Sequence, residues 1–461
     1  MMKKLLTLLL ILAASLPLAA KAPKYIFYFI GDGMGMSHVQ TTEAYNRSVL
    51  HNPQPILMLQ FPTVSYATSY SASSDITDSA AAGTALSTGV KTRNGMIAMT
   101  PDSIPAESIA SKLFKKGWGV GVVTTVPPDD ATPSVFYAHQ PSRSMFYEIG
   151  REAATCGYEF IGGSRWRGMK DKQGKPTDLR QLFIENGVET FRDAKAAANS
   201  RSRRVVLLNT DTVAHALAYA IDENKEHLAL TDMVSACLAH LEKTSPKKFF
   251  MMAEAGTIDY AAHSNDGGGV VRETLAFQDA IRIAYDFYLA HPQETLIVIT
   301  ADHNTGGMAL ANTFLHYEAN LKAISSQKIS KDRFSDWCKR LLKDKTPITW
   351  EQMKEVLGEK LGYWKTVTLT PKQEKYIHEE FDRTFAQGDS EEHKTLYNTS
   401  NNFVEAVFDT FNDIAGIGFT AESHSGDFVP VFAIGAGADL FQGFHDNTDI
   451  PKLIYKAATQ K

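Results

Sequence analysis

Apolar residues in this chain gather into uninterrupted runs, at 25–30, 119–125, 205–209, 249–253, 296–300 and 431–434. A continuous run, unlike an alternating one, predicts a strand buried on both faces, as in a parallel sheet. Between the runs, 227–241 and 274–289 repeat their apolar positions at three- and four-residue intervals, which predicts amphipathic helices. Strands alternating with helices argue for an α/β/α sandwich, with a large, mostly parallel central sheet covered on both faces. Such sheets place their sites at the carboxyl ends of strands. Polar and acidic residues follow the apolar runs here: Gly31-Asp32-Gly33, Pro127 to Pro133, Glu254, and Asp302-His303. Several strands are thus expected to feed one site. Residues 23–461 read as one domain, interrupted at 311–420 by a long polar stretch with helical patterns at 331–343 and 350–361. That stretch is expected to be a helical insertion, serving as a lid or as the crown of a dimer; a plain solvated cap is the alternative.

One stretch departs from this alternation. From Thr77 to Gly89 the chain is built almost wholly of Ser, Ala, Gly and Thr. Side chains this small suit a helix packed closely against neighbouring backbone. With Asp78 and Ser79 at its start, the helix would aim free N–H groups at whatever lies over Ser79, which makes an anion site. On these residues alone Ser79 reads as an N-cap. No G-x-S-x-G elbow surrounds it, which argues against a hydrolase triad.

Composition narrows the classes. With 461 residues, 44% of them hydrophobic, the chain has material for a large core. A net charge of −5 leaves no electrostatic footprint for nucleic acid. Cys156, Cys237 and Cys338 are scattered and odd in number; they make neither a zinc pair nor a disulfide framework and read as small buried hydrophobes. At the N-terminus, Lys3 and Lys4 precede the apolar run 5–12 and then Ala19-Ala20-Lys21-Ala22. This is the grammar of a signal peptide over 1–20, cleaved between about 20 and 22. The apolar run is too short to span a bilayer, no lipoprotein cysteine follows it, and the C-terminus has no hydrophobic anchor tail. The mature chain is expected to be exported, to a periplasm or outside the cell, without a membrane anchor.

The candidate chemistry lies in spacing. The Gly31-Asp32-Gly33-Met34-Gly35 turn lacks the dinucleotide spacing, and its acidic residue would repel a pyrophosphate, so Asp32 reads as a metal ligand at a strand end. Asp259 and His263, four apart, share one face of a helix. Asp302 and His303 are adjacent, and a strand-end turn can splay both onto one ion. His424, ahead of the last apolar run, adds a third imidazole. Carboxylates and imidazoles without thiols suit zinc with open coordination positions.

On these residues the chain resembles the alkaline phosphatase family. The likeness runs discontinuously from Gly31-Asp32-Gly33 to 446–451, through 77–95, 130–143, 254–266, 300–307 and 424–435. The resemblance implies metal-dependent hydrolysis of phosphate monoesters to alcohol and inorganic phosphate, with Ser79 as the phosphorylated nucleophile. It implies two zinc ions, one on Asp259, His263 and His424, the other on Asp32, Asp302 and His303 and reaching Ser79. A third metal, magnesium, would take the oxygens of Asp32, Thr132 and Glu254, a set that suits a hard cation. Arg143 corresponds to the arginine that clamps phosphate, and Asp78 either orients it or caps the helix. Tyr260 stands where some members carry lysine or histidine near the phosphate and third metal, with Asp130 as its acidic partner. Disulfides of some members have no counterpart here. The implied partners are small phosphomonoesters, with a homodimer as the possible assembly.

Two other readings share parts of this pattern. A related phosphodiesterase or sulfatase would use the same two-metal core, but the sulfatase C/S-x-P-x-R signature is absent around Ser79. A non-catalytic phosphate-binding protein would be favoured by loss of the nucleophile or of a ligand, and no such loss is visible.

Overall fold

Strands with apolar residues on both faces can only lie inside a layered structure, and that is where the computed structural model puts them. It describes residues 22–209, 215–222 and 227–460; the leader expected over 1–20 lies outside the described residues. The strands are β1 (Tyr25–Gly31), β2 (Thr63–Ala67), β3 (Gly119–Thr124), β4 (Phe160–Gly163), β5 (Val188–Phe191), β6 (Arg204–Leu208), β7 (Phe249–Ala255), β8 (Thr295–Ala301), β9 (Asn304–Thr305), β10 (Glu392–Lys394), β11 (Thr399–Asn401), β12 (His424–Ser425), β13 (Val429–Gly435) and β14 (Phe444–His445). Ten of them form one sheet in the order β14-β2-β13-β8-β1-β7-β3-β4-β6-β5. Every pairing from β8 across to β5 is parallel. β7 and β8 are buried throughout, and β1 in all but its first residue. The fold is the expected α/β sandwich on a large, mostly parallel sheet.

The exception to the parallel rule positions the site. β13 runs antiparallel to both β8 and β2. It therefore enters the sheet at the edge where β1, β7 and β8 leave it. The approach to β13 carries β12, which pairs with β9 just beyond Asp302 and His303 and sets His424 opposite Thr305.

The structure differs from the apolar pattern in places. β2 escapes that pattern because its alternation is inverted: Thr63 and Ser65 face inward while Val64 and Tyr66 are exposed. β7 continues through Glu254 rather than stopping before it. The second amphipathic helix spans Gly267–Ala290, starting well ahead of the expected 274. Its first turn is three glycines, capped by Asp266, whose side chain accepts from Gly269 N. The glycines serve close approach: a Cβ on Gly267 would lie 2.7 Å from Asn412 Oδ1, and one on Gly268 2.0 Å from Gln327 Oε1.

Those neighbours come from a stretch that builds a second apolar core. Phe334, Tyr363, Phe403, Phe408 and Phe411, all from the stretch between β9 and β12, pack together with Ala261, Ala262, Val270 and Val271. This stretch thus rests directly on the helix Thr257–His263. Buried Asp266 ties the two by accepting from Gln327 Nε2 at 2.7 Å and Lys331 N at 2.8 Å. Cys237 and Cys338 are buried, Cys156 is half-buried, and all three are free. No helix among the described residues is long and apolar enough to cross a membrane.

Candidate active site

The helix Ser79–Thr88 is buried along its whole length, as its small side chains require. Asp78 is in extended conformation, and its Oδ1 accepts from Ala81 N at 2.9 Å. Asp78 is therefore the N-cap and Ser79 the first helical residue, so the serine hydroxyl is not spent on capping. It lies 3.2 Å from His303 Nε2. The second oxygen of Asp78 accepts from Gly95 N at 3.0 Å and from Arg143 at 3.3 Å. Capping the helix and holding the arginine are thus two jobs of one carboxylate.

The three imidazoles are oriented by their Nδ1 atoms. His263 Nδ1 donates to Glu422 O at 2.6 Å, and His424 Nδ1 to Thr77 O at 2.7 Å. A carbonyl only accepts, so each ring carries its proton on Nδ1 and turns an Nε2 lone pair inward. Those two Nε2 atoms are 3.2 Å apart. Thr305 donates its hydroxyl to Asp259 Oδ1 and so receives the His303 Nδ1 proton at 3.2 Å, which fixes the third ring the same way. Inward-facing lone pairs this close require a positive charge between them.

The carboxylates carry the same message. Ligand atoms of Asp259, His263 and His424 lie within 4.8 Å of one another, as do those of Asp32, Asp302 and His303. Asp32 Oδ1, Glu254 Oε1 and Asp259 Oδ2 are buried without a hydrogen-bond partner among the described residues. Burial, reinforced by Asp302, Asp259 and Glu254, pushes Asp32 well above the ordinary carboxylate range. Burial with Asp130 and Asp302 pushes Glu254 to about 8. Burial works to raise Asp259 and Asp302 too, but the neighbouring imidazoles hold both below it. Thr132 Oγ1 is 3.3 Å from Asp32 Oδ2 and 3.5 Å from Asp302 Oδ2. Clustered buried carboxylates, orphaned oxygens and inward Nε2 atoms fit metal cations. Backbone geometry makes room for them: Gly33 has φ +68°, and a Cβ there would stand 2.6 Å from Thr305 Oγ1 and 2.8 Å from Asp259 Oδ1.

A second cluster adjoins the first. Arg143 pairs with Asp78 at 3.3 Å and with Asp130 at 3.2 Å. Asp130 also accepts from Arg167 at 3.0 Å and from the Tyr260 hydroxyl at 3.0 Å, and that hydroxyl in turn accepts from Arg167 at 3.2 Å. The two guanidiniums hold Asp130 below the usual range despite its burial. Tyr260, expected near a phosphate, thus has its hydroxyl committed to a carboxylate and an arginine.

Several residues of this neighbourhood escaped the sequence reading. Arg167 opens a short 3-10 turn, Arg167–Met169, after β4. Thr305 and Thr124, the latter donating to Glu254 Oε2, orient carboxylates from strand ends where threonine is ordinary. Tyr397 comes from the long polar stretch and stacks on Tyr260 with ring centroids 3.7 Å apart. Only adjacency in space distinguishes them. Thr305, two residues past His303, had a readable signal, because a ligating histidine needs a partner for its other nitrogen.

Comparison with known proteins identifies the family. The family model described as alkaline phosphatase matches residues 23–460. Alkaline phosphatase 3 of Bacillus subtilis is 30% identical over 449 residues, covering 94% of this chain and 88% of the relative. Alkaline phosphatase 4 of the same organism is 28% identical with the same coverage. The fold is shared with the Thermus thermophilus alkaline phosphatase, at a TM-score of 0.77 and 24% identity over 96% of this chain and 92% of that one. It is shared too with a mutant of the alkaline phosphatase from the Antarctic bacterium TAB5, solved with Mg bound in the M3 site, at a TM-score of 0.66 and 22% identity over 96% and 99% of the two chains. A serine at a buried helix start, two carboxylate–imidazole groups and a family match across nearly the whole chain converge: the chain belongs to the alkaline phosphatase family of phosphomonoester hydrolases.

Proposed function

We propose that this enzyme cleaves phosphate monoesters by two successive in-line displacements at phosphorus, with Ser79 as the nucleophile of the first. The observation that carries the reading is the Ser79 hydroxyl itself. It is buried, free of any capping duty, at a helix N-terminus, and 3.2 Å from His303 Nε2. Ser79 Oγ attacks phosphorus as the ester P–O bond breaks; the alcohol leaves and phosphoserine remains. Water then attacks the phosphoserine, releasing inorganic phosphate and restoring the hydroxyl.

Members of the family are metal-dependent. Zinc held by Asp259, His263 and His424, zinc held by Asp32, Asp302 and His303, and magnesium held by Asp32, Thr132 and Glu254 would supply Lewis acidity and positive charge to the phosphate oxygens. The chain's own contribution is positional. Glu422 O, Thr77 O and Thr305 hold the three rings in one tautomer. Arg143 offers a planar fork to non-bridging oxygens, and Asp78 and Asp130 keep that fork aimed. Asp130 and Tyr260 act at the phosphate through the arginines they hold. Export, resting on the N-terminal leader pattern, would put the enzyme where extracellular phosphoesters are met.

The test is acid-quenched turnover of an aryl phosphate by the zinc- and magnesium-loaded enzyme, followed by peptide mass spectrometry. Phosphate is expected on Ser79, and Ser79→Ala should lose both the adduct and most turnover. An adduct on another side chain would overturn the assignment of the nucleophile.

A further inference from the structure

Between β9 and β12 the chain makes a small strap that reaches back to the site. β10 and β11 pair antiparallel, and the turn between them closes with Thr395 N donating to Asn398 O at 2.9 Å and Asn398 N donating to Thr395 Oγ1 at 3.1 Å. The strap is a wall between two clefts, since Lys394, Thr395 and Leu396 line both. One, of about 660 Å³, lies over Thr77, His263 and His424; the other, of about 1060 Å³, lies beside Tyr260 and Asp332. Leu396 is exposed, whereas Tyr397 is half-buried. Its ring stacks on Tyr260 at 3.7 Å and 22°, and meets His263 edge-on at 5.3 Å and 75°.

Three features set this tyrosine apart from a packing residue. First, its ring is pinned on two sides, yet its hydroxyl makes no hydrogen bond to any described residue. Second, the ring bridges Tyr260, whose hydroxyl joins Asp130 and Arg167, and the metal-ligand candidate His263, so the side chain sits where the arginine cluster and the metal-ligand cluster meet. Third, its position is anchored to the site itself. Asp332 Oδ1 accepts from Ser264 Oγ at 2.6 Å and from Asn398 Nδ2 at 2.7 Å, and its Oδ2 accepts from the Tyr219 hydroxyl at 2.7 Å. Ser264 follows His263 in the chain and Asn398 follows Tyr397. One carboxylate therefore fixes the strap against the helix that carries Asp259 and His263. Lys339 Nζ, donating to Asn398 Oδ1 at 2.9 Å, and Ser335 Oγ, donating to Thr399 O at 2.8 Å, hold the same turn from the helix Lys331–Lys343.

We propose that Tyr397 is a substrate-binding residue delivered by this strap, its hydroxyl donating a hydrogen bond to a non-bridging oxygen of the phosphate beside Arg143. The inference rests on the reading of the Ser79 pocket as the phosphate site. It gives the neighbouring phenols different tasks: the Tyr260 hydroxyl is occupied by Asp130 and Arg167, and the Tyr397 hydroxyl is the one free to meet a ligand. It also gives the polar stretch between β9 and β12 a direct share in binding. Asp332 is the positioning residue that makes the contact available.

The experiment compares wild type, Tyr397→Phe and Asp332→Asn as metal-loaded enzymes, reading Ki for inorganic phosphate and kcat and KM for an aryl monoester. Phenylalanine keeps both ring contacts and removes only the donor. A hydrogen bond to a charged acceptor sets the scale at about tenfold or more. Tyr397→Phe should therefore raise phosphate Ki by about tenfold with an unchanged melting temperature, and Asp332→Asn should raise it in the same direction by loosening the strap. Tyr397→Phe with the wild-type Ki would refute the inference while leaving the pocket assignment intact. If phosphate did not inhibit the wild-type enzyme competitively, or Ser79→Ala kept most of its turnover, the pocket assignment would fall and this inference with it.

Discussion

Replacing Arg143 with alanine separates a monoesterase from a diesterase. A monoester dianion has three non-bridging oxygens, so charge remains for a guanidinium after the metals have taken their share. A diester has two such oxygens and one negative charge, and its second ester group must occupy the space near the arginine. A hydrogen bond to a charged group is worth about 1.5–3 kcal/mol, and about 1.4 kcal/mol is tenfold in rate. Losing the fork alone should therefore cost roughly one to two orders of magnitude in monoester kcat/KM. The surroundings push the loss toward the upper end. Arg143 spans Asp78 and Asp130. After its removal Asp130 keeps Arg167 at 3.0 Å, while Asp78 keeps only its backbone donors, Ala81 N and Gly95 N. An uncompensated carboxylate then faces an incoming dianion, which adds repulsion to the lost attraction. Arg143→Lys restores charge but not the planar fork, and should recover only part of the loss. The assay is kcat/KM for a matched aryl monoester and aryl methyl diester in wild type and both variants. Diester turnover should fall far less than monoester turnover, or rise. Equal proportional losses on the two substrates would refute the argument that this guanidinium reads the monoester.

The two jobs of Asp78 can be pulled apart. Asparagine keeps an N-cap acceptor, so Asp78→Asn should melt close to wild type while losing the charge that steadies Arg143; for a pair roughly a quarter exposed, worth about 1 kcal/mol, monoester KM should rise about fivefold. Asp78→Ala should add a stability loss of about 1 kcal/mol for the missing cap, and wild-type kinetics in the asparagine variant would show that Asp78 is a cap alone. Chelation should lower the melting temperature in a pH-dependent way. In the metal-free chain Glu254 is raised to about 8 and Asp32 is raised too, above their values in the unfolded chain. The folded state therefore binds more protons than the unfolded one between about pH 4 and 8, and its stability must fall as pH rises through that window. Thermal melts of chelated and metal-loaded protein from pH 5 to 9 should diverge with rising pH, and a chelated melting temperature that stayed flat would mean that these carboxylates are not held against their own charge.

The pattern of apolar runs was enough to determine the layered α/β fold, because a strand without a polar face has no stable place except inside a sheet covered on both sides. β1, β3, β7 and β8 were legible for that reason, and so was the concentration of Asp32, Glu254, Asp302 and His303 at strand ends. β2 was not, because its burial pattern inverts the rule that apolar side chains point inward. Register and direction were beyond the sequence as well. His424 meets His263 only because β13 runs against its neighbours and β12 pairs with β9, a consequence of long-range hydrogen bonding that no local spacing encodes. Ser79 could be read as a cap until backbone geometry gave that task to Asp78. Arg167 and Tyr397 carry no sequence mark because a hydrogen bond or a ring contact depends on distance in space, and chain neighbours reveal nothing of it. Local chemistry is written residue by residue; the tertiary structure alone decides which residues share one site, because a site is a set of distances that folding creates.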